Sequence, residues 1–464
     1  MRLEQIGQRL FMLKLGQKIE VKIDKIITGG DGIAKYENIV VMVPYSVPKD
    51  KLLVEITEVK KNYVRGKIVS IISPSPNRIT PPCSKHYSAE LRSAATNYLY
   101  CGGCDFQMIE YEKQLEYKTK IVQDFFDVPV KSILPASNPF SYRNKVQMPV
   151  GGNSKKIFMG FFHPQSHRIV DVRNCLLETQ LANKIVYSVR DLINEYKIQP
   201  YIEDANRGVL RHIILRQSMA FNEFMLIFVS KTNFISNLRE IIINLNKKFP
   251  EIVSIYHNIN FQRTNVILGD KSFKVFGKET IMEKIGNVIF EISPTSFFQV
   301  NTEQAAKLYE VIKNFANLKG TENIIDVYSG TGGITLYLAP YCKSITGIEE
   351  VSSAVSDAIK NARINNIRNT YFVRGNADYV LRKIDFSKYN IVILDPPRAG
   401  CSDDVIKTLL RLKPQKIIYT SCNPATLARD VKILSQSYKI KEIQPVDMFP
   451  QTSHIECVVS LEKC

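Results

Sequence analysis

Two hydrophobic rhythms organise this chain. Between residues 14 and 72 apolar and polar positions alternate with a period of two; after Ile292 short β-branched runs alternate with stretches that repeat every three or four residues. In the first region Ile19, Val21 and Ile23 stand against Lys18, Glu20, Lys22 and Asp24. Thr28-Gly-Gly-Asp-Gly32 is a turn signal, and the runs NIVVMV, KLLVEITEV and VRGKIVSII follow it, with residues 44–50 as a loop. About five short strands in so few residues predict a small OB-like barrel over residues 14–72.

The middle of the chain is less regular. Residues 73–82, SPSPNRITPP, have the composition of a linker. Met108, Tyr111, Leu115, Val122 and Phe125 then recur at helical spacing and predict a helix over residues 107–126, a candidate to pack on the C-terminal domain. Lys118 falls on the same apolar stripe. RHIILRQS and EFMLIFVS predict a hairpin around Met219–Asn222, and residues 73–290 together read as a central α+β domain.

From residue 291 to 464 strand and helix alternate. Thr302–Leu318 is amphipathic through Leu308, Val311, Ile312 and Phe315. NIIDVYS, SITGIEE, NTYFVRG, NIVILDPP, KIIYTSC and HIECVVSLE read as strands, with helices ITLYLAPY and SSAVSDAIKNARIN among them. That βαβαβ order predicts a parallel, doubly wound sheet, a Rossmann-like α/β domain.

Composition narrows the class. A length of 464 residues accommodates two to four domains. With 45% hydrophobic and 23% charged residues the chain is globular, not disordered. No window approaches the roughly 18 apolar residues a spanning helix needs, and MRLEQIGQRLFMLKLGQK has no signal-peptide core. A cytoplasmic protein without membrane contact, and a monomer, are expected. The net charge of +17, from 62 Lys and Arg against 45 acids, suits a polyanionic partner. Residues 14–78 carry twelve basic against seven acidic residues. Trp is absent, so base stacking falls to Tyr, Phe, His or Arg. Nine cysteines, an odd number, argue against a disulfide framework.

The candidate chemistry lies at the ends of the C-terminal strands. Asp326-Val-Tyr-Ser-Gly-Thr-Gly-Gly333 is a strand, a glycine turn and a helix start, and Glu349 ends the next strand. An acid so placed grips a ribose diol, which indicates an adenosine cofactor. Gly330, Gly332 and Gly333 leave GxGxxG incomplete, which suits S-adenosylmethionine, a cofactor without a pyrophosphate. Asp395-Pro-Pro-Arg398 puts an acid on a loop stiffened by two prolines. Ser421-Cys422-Asn423-Pro424 puts a thiol where a strand ends, beside Asn423 and within range of Arg398, whose charge favours a thiolate. His454, Glu456 and Val458 share one strand face. Cys101-Gly-Gly-Cys104 with Cys83 and Cys175 matches a metal or iron–sulfur site.

Taken in order, TRAM-like residues 14–72, CGGC, VRNC ending at Cys175, SFFQVN (296–301), DVYSGTGG, GIE, DPPRAG, SCNP and HIEC resemble the RNA 5-methyluridine methyltransferases, in particular the iron–sulfur branch acting on 23S ribosomal RNA. The likeness covers nearly the whole chain. It implies a class I S-adenosylmethionine-dependent methyltransferase domain, an N-terminal TRAM barrel and a central iron–sulfur domain. It implies that Gln299, Tyr328, Gly333, Glu349, Asn376 and Asp395 bind S-adenosylmethionine, that Cys422 is the nucleophile and Glu456 the base, and that Cys83, Cys101, Cys104 and Cys175 hold a [4Fe-4S] cluster. The 17 residues between Cys83 and Cys101 depart from the family's shorter spacing. The expected function is methylation of uracil C5 in 23S ribosomal RNA through a covalent adduct of Cys422 with C6. The alternatives are a transfer RNA uracil-C5 methyltransferase, an exocyclic-amine methyltransferase, which has no use for a thiol, and a non-catalytic RNA-binding factor.

Overall fold

The computed structural model describes residues 13–87, 99–153 and 156–464. The chain divides into two compact units, one of residues 1–127, 162–170 and 449–455, the other of residues 128–161, 171–448 and 456–464.

In the first unit six strands between Lys18 and Ser73 form one sheet. The alternation seen in the sequence is the burial pattern itself: Ile19 and Val21 are buried while Lys18, Glu20 and Lys22 are exposed. One strand more is present than expected, because Lys25–Ile26 pairs briefly with Gly32–Tyr36. The segment read as a linker is pinned to this sheet. Arg78 ion-pairs at 2.6 Å with the fully buried Asp50, which also accepts the Ser75 N–H at 2.8 Å.

The helix expected over 107–126 spans Tyr111–Gln123. Its first expected turn is spent elsewhere, since the Met108 carbonyl accepts from Ile79 and Ile109 bridges to Arg78. Lys118, the polar residue on the apolar stripe, is fully buried; its ammonium donates to the Phe449 carbonyl at 3.2 Å and lies 6.0 Å from the centre of the Phe106 ring. A buried ammonium needs such partners.

In the second unit the expected hairpin is present: Leu210–Gln217 pairs antiparallel with Phe224–Ser230. Phe224–Ser230 is buried on both faces, which explains its unbroken apolar run. Helices Gln180–Glu195 and Leu238–Lys248 contribute Ile185, Val189, Ile241 and Leu245 to a core with Leu215, Leu226 and Phe228. Ile281 and Ile292, from the hairpin Ile281–Ile285/Val288–Ile292, join a separate cluster with Ile214, Met225 and Ile227.

The C-terminal part of this unit is a seven-stranded sheet. Its strands are β1 (Asn323–Val327), β2 (Ser344–Glu349), β3 (Thr370–Arg374), β4 (Ile391–Leu394), β5 (Lys416–Ser421), β6 (Tyr438–Val446) and β7 (Glu456–Lys463). The order is β3-β2-β1-β4-β5-β7-β6. Strands β1 to β5 are parallel, and β7 runs antiparallel between β5 and β6. The fold is therefore the doubly wound sheet expected, with one strand, β7, reversed. The edge strand β6 had no clean signature, because YKIKEIQPV mixes charges with a proline. The helices are α1 (Thr302–Ala316), α2 (Gly333–Leu338), α3 (Ser352–Ile364), α4 (Ala377–Lys383), α5 (Asp403–Leu412) and α6 (Pro424–Leu434). Among the described residues no helix is long and apolar enough to cross a membrane.

Candidate active site

The parallel strands end at one edge, and the loops that leave them carry the residues singled out in the sequence. After β1, Tyr328 takes a left-handed conformation with φ 69°, and the N–H groups of Tyr328 and Ser329 both donate to the Ile348 carbonyl at 3.0 Å. Non-glycine residues rarely adopt this φ, and it bends the chain into the glycine turn. Gly333 opens α2, and a side chain there is excluded: a Cβ would stand 2.5 Å from the Tyr309 hydroxyl. Glu349 ends β2 with its carboxylate aimed at that turn, one oxygen accepting the Gly330 N–H at 3.0 Å and the other the Val351 N–H at 2.8 Å.

Asn376 follows β3 and caps α4, accepting the Asp378 N–H at 2.9 Å. The Gln299 carbonyl accepts from the Asn144 amide at 2.9 Å, and Asn301 caps α1. Five of the six proposed cofactor residues thus follow or end β1 to β4; Gln299 enters through the segment that leads into α1. The Tyr328 phenol hydrogen-bonds Cys401, and burial with the nearby Cys401 and Asp378 pushes it above its ordinary value.

Asp395, Arg398, Cys422 and Glu456 converge. Asp395 follows β4 and Cys422 follows β5. Glu456 instead begins β7, and the reversal of that strand brings it to the same edge: Ser421 pairs with Cys457, one residue before Cys422 and one after Glu456. The Cys422 thiol is half-buried and pushed up by burial and by the charges of Glu456 and Asp395, while Arg398 pulls it down. Burial, with Asp395 adding to it, holds Glu456 well above the carboxylate range, against the pull of Arg398. Burial raises Asp395 to about 7. A thiol beside a guanidinium and a desolvated carboxyl can add to an electron-poor double bond and take a proton off it later.

Two groups at this centre were missed. Tyr309 on α1 is buried and pushed upward by desolvation and then by Asp395, Asp326 and Glu456. Its helical spacing with Ala305 and Ile312 reads as core. Asp326 is fully buried, accepts the Thr335 hydroxyl at 2.5 Å and is raised by burial to about 7. An acid inside the run NIIDV was the available signal.

The metal expectation is not supported. Among the described residues no group of three or more His, Cys, Asp or Glu side chains is placed to hold an ion. Cys83, Cys101 and Cys104 belong to the first unit and Cys175 to the second. Burial pushes the Cys104 thiol up to about 12, with Cys101 and Cys83 adding to the shift, and Gln107 hydrogen-bonds it. The Cys175 thiol bonds the Glu178 carboxyl. The structure thus gives no support to a [4Fe-4S] cluster at these cysteines.

Comparison with known proteins agrees with this architecture. Residues 110–464 match the family model of tRNA (uracil-5-)-methyltransferases, and residues 13–69 match the TRAM domain. An uncharacterized RNA methyltransferase of Halalkalibacterium halodurans is 38% identical over 454 residues, 96% of each chain. One of Clostridium tetani is 38% identical over 441 residues, 93% of each. The crystal structure of Pyrococcus abyssi tRNA (uracil-54, C5)-methyltransferase in complex with S-adenosyl-L-homocysteine superposes with a TM-score of 0.76 and 29% identity, covering 96% of this chain and all of that one.

Proposed function

The chain belongs to the tRNA (uracil-5-)-methyltransferase family, and on that premise we propose that it methylates C5 of a uridine in RNA through a transient bond between Cys422 and uracil C6. The observation that carries this reading is the convergence of Cys422, Arg398, Asp395 and Glu456 at one edge of the sheet. C5 of uracil is a weak nucleophile. Addition of the Cys422 thiolate to C6 moves an electron pair onto C5 and the C4 carbonyl as an enolate, splitting one hard step into two. S-adenosylmethionine supplies the methyl group to C5 when bound. Glu456, in its ionised form, then takes the C5 proton, for which its raised affinity suits it, and expulsion of the thiolate restores the C5–C6 double bond.

Gln299, Tyr328, Gly333, Glu349, Asn376 and Asp395 are the residues we assign to the cofactor. The glycine turn after β1 and the carboxylate at the end of β2 fit an adenosine nucleoside. The barrel, residues 14–72, holds the RNA backbone, residues 73–290 support it, and residues 291–464 carry the chemistry. Attack on C6 from above the ring needs an unstacked base, so loops and bulges are the favoured targets. An exocyclic-amine reading is disfavoured, because it leaves the thiol unused.

We put 23S ribosomal RNA first as substrate, on the resemblance of the CGGC and VRNC segments to the ribosomal branch. Transfer RNA is the second reading, favoured by the Pyrococcus neighbour. Transcripts containing 5-fluorouracil should trap the adduct on the peptide with Cys422; a crosslink on another peptide, or none with active protein, overturns the mechanism. Mapping 5-methyluridine in ribosomal and transfer RNA from a strain lacking the protein decides the substrate.

A further inference from the structure

Helix α6 begins just after Cys422, and its side chains reach back to the loop that carries Arg398. The Asn423 amide and the Thr426 hydroxyl donate to the Arg398 carbonyl at 3.2 and 3.3 Å. The Arg429 guanidinium donates to the Ala399 carbonyl at 3.0 Å. Asp430 makes the tightest tie. It is 1% exposed, and one of its oxygens accepts the Cys401 N–H at 2.9 Å and the Tyr419 hydroxyl at 2.6 Å. Its other oxygen accepts from Arg429 at 2.8 Å. The loop complies through Gly400, at φ +83°, where a Cβ would fall 2.6 Å from both Arg429 and Asp430. Asp430 itself is too deep to touch a substrate, yet an acid amid the apolar positions Leu427, Val431 and Leu434 is not core filler.

We infer that Asp430 is a positioning residue: by clamping the backbone of residues 398–401 to the helix that follows the nucleophile, it holds the Arg398 guanidinium beside Cys422. The clamp has a second reach, because Cys401 at the end of the loop hydrogen-bonds Tyr328 of the glycine turn. One carboxylate thereby ties the thiol's counter-charge to the cofactor's turn. A rigid tie matters because a displacement of about 1 Å in an active site can lower the rate about a hundredfold.

The inference rests on Cys422 being the nucleophile, and the test separates the two. The rate of Cys422 alkylation by iodoacetamide is followed by peptide mass spectrometry in short pulses from pH 7 to 11.5 in the wild-type protein, Asp430→Asn, Arg398→Met and the double variant. An opposite charge within reach lowers a pKa by about 1–3 units, so Asp430→Asn should raise the alkylation midpoint by roughly one pH unit. Arg398→Met should raise it similarly, and the double variant by no more than either alone. Methylation should fall about 10- to 100-fold in kcat with KM for S-adenosylmethionine within about twofold, and Asp430→Glu should recover part of it. An unchanged midpoint in Asp430→Asn, or shifts that add in the double variant, overturns the inference. If Asp430→Asn does not fold, Thr426→Val/Arg429→Met removes two ties to the loop and carries the same two outcomes. Full methylation by Cys422→Ala sinks the mechanism instead, whatever the alkylation profile shows.

Discussion

Cys422 and Cys104 each sit in a turn, and their surroundings differ in one decisive respect. Cys422 is half-buried, with the Arg398 guanidinium offsetting the acids around it. The groups acting on Cys104 are Gln107, two further thiols and Asp105, none of them a cation, and its thiol is pushed up to about 12. Both turns are glycine- or asparagine-built, so backbone geometry does not separate them. Charge does. A thiol becomes a nucleophile where a cation lowers the energy of its thiolate, and it stays inert where it is merely buried.

The sharpest test of this contrast is to remove each sulfur in turn. Cys422→Ala should lower methyl transfer by about 10⁴-fold or more, the scale of losing a covalent nucleophile, while still binding S-adenosylmethionine in a calorimetric titration. Cys104→Ala should leave kcat within about threefold, as expected for a group outside the chemistry. A large loss of kcat in correctly folded Cys104→Ala breaks the contrast. Next in size, Glu456→Gln should slow turnover by about 10²–10⁴-fold and leave a protein–RNA adduct visible as a slower band on a denaturing gel. Wild-type turnover from that variant removes Glu456 as the base.

The C-terminal sheet could be read from the chain because buried parallel strands are written as apolar runs ending in glycine, proline or asparagine. Ile391–Leu394 and Lys416–Ser421 announced both their strands and the loops that carry Asp395 and Cys422. Period and turn chemistry could not show what depends on a reversed strand or a distant partner. Glu456 reaches the site only because β7 runs antiparallel, and on its own it reads as an exposed strand acid. Tyr309 and Asp430 occupy helix positions where periodicity predicts core, and their polar atoms acquire meaning only from neighbours far along the chain. The cysteine spacing is of another kind: it specifies only which residues are near in sequence, and among the described residues no group of three or more His, Cys, Asp or Glu is placed to hold an ion.

A third effect is kinetic. At pH 7.5 iodoacetamide should modify Cys422 about ten- to a hundredfold faster than Cys104, following exposure and thiolate fraction. Peptide mass spectrometry over a time course measures both at once, and equal rates would make the environment of Cys422 unremarkable.

The smallest effect concerns how each region accommodates a buried acid. Asp105, in the unit of Cys104, is raised by burial but accepts both the Ser453 N–H and its hydroxyl at 2.6 Å. Asp326, in the unit of Cys422, has the Thr335 hydroxyl on one oxygen and no hydrogen-bond partner on the other. Its folded value of about 7 stands above the ordinary 3.8, so the folded state prefers the protonated form. The associated stability is complete below the ordinary value and is lost as pH rises toward 7. The melting temperature should therefore fall between pH 5 and pH 8, and Asp326→Asn, which cannot ionise, should lessen that fall by about 2–4 °C. Asp105→Asn should instead lower the melting temperature at every pH, because an amide has only one oxygen to accept what the carboxylate took with two. Calorimetric scans at pH 5, 6.5 and 8 distinguish the two behaviours. Parallel pH profiles for wild type and Asp326→Asn would mean that the acids around Cys422 are as well solvated as surface ones, and the raised thiol and carboxyls of that centre would lose their common physical cause.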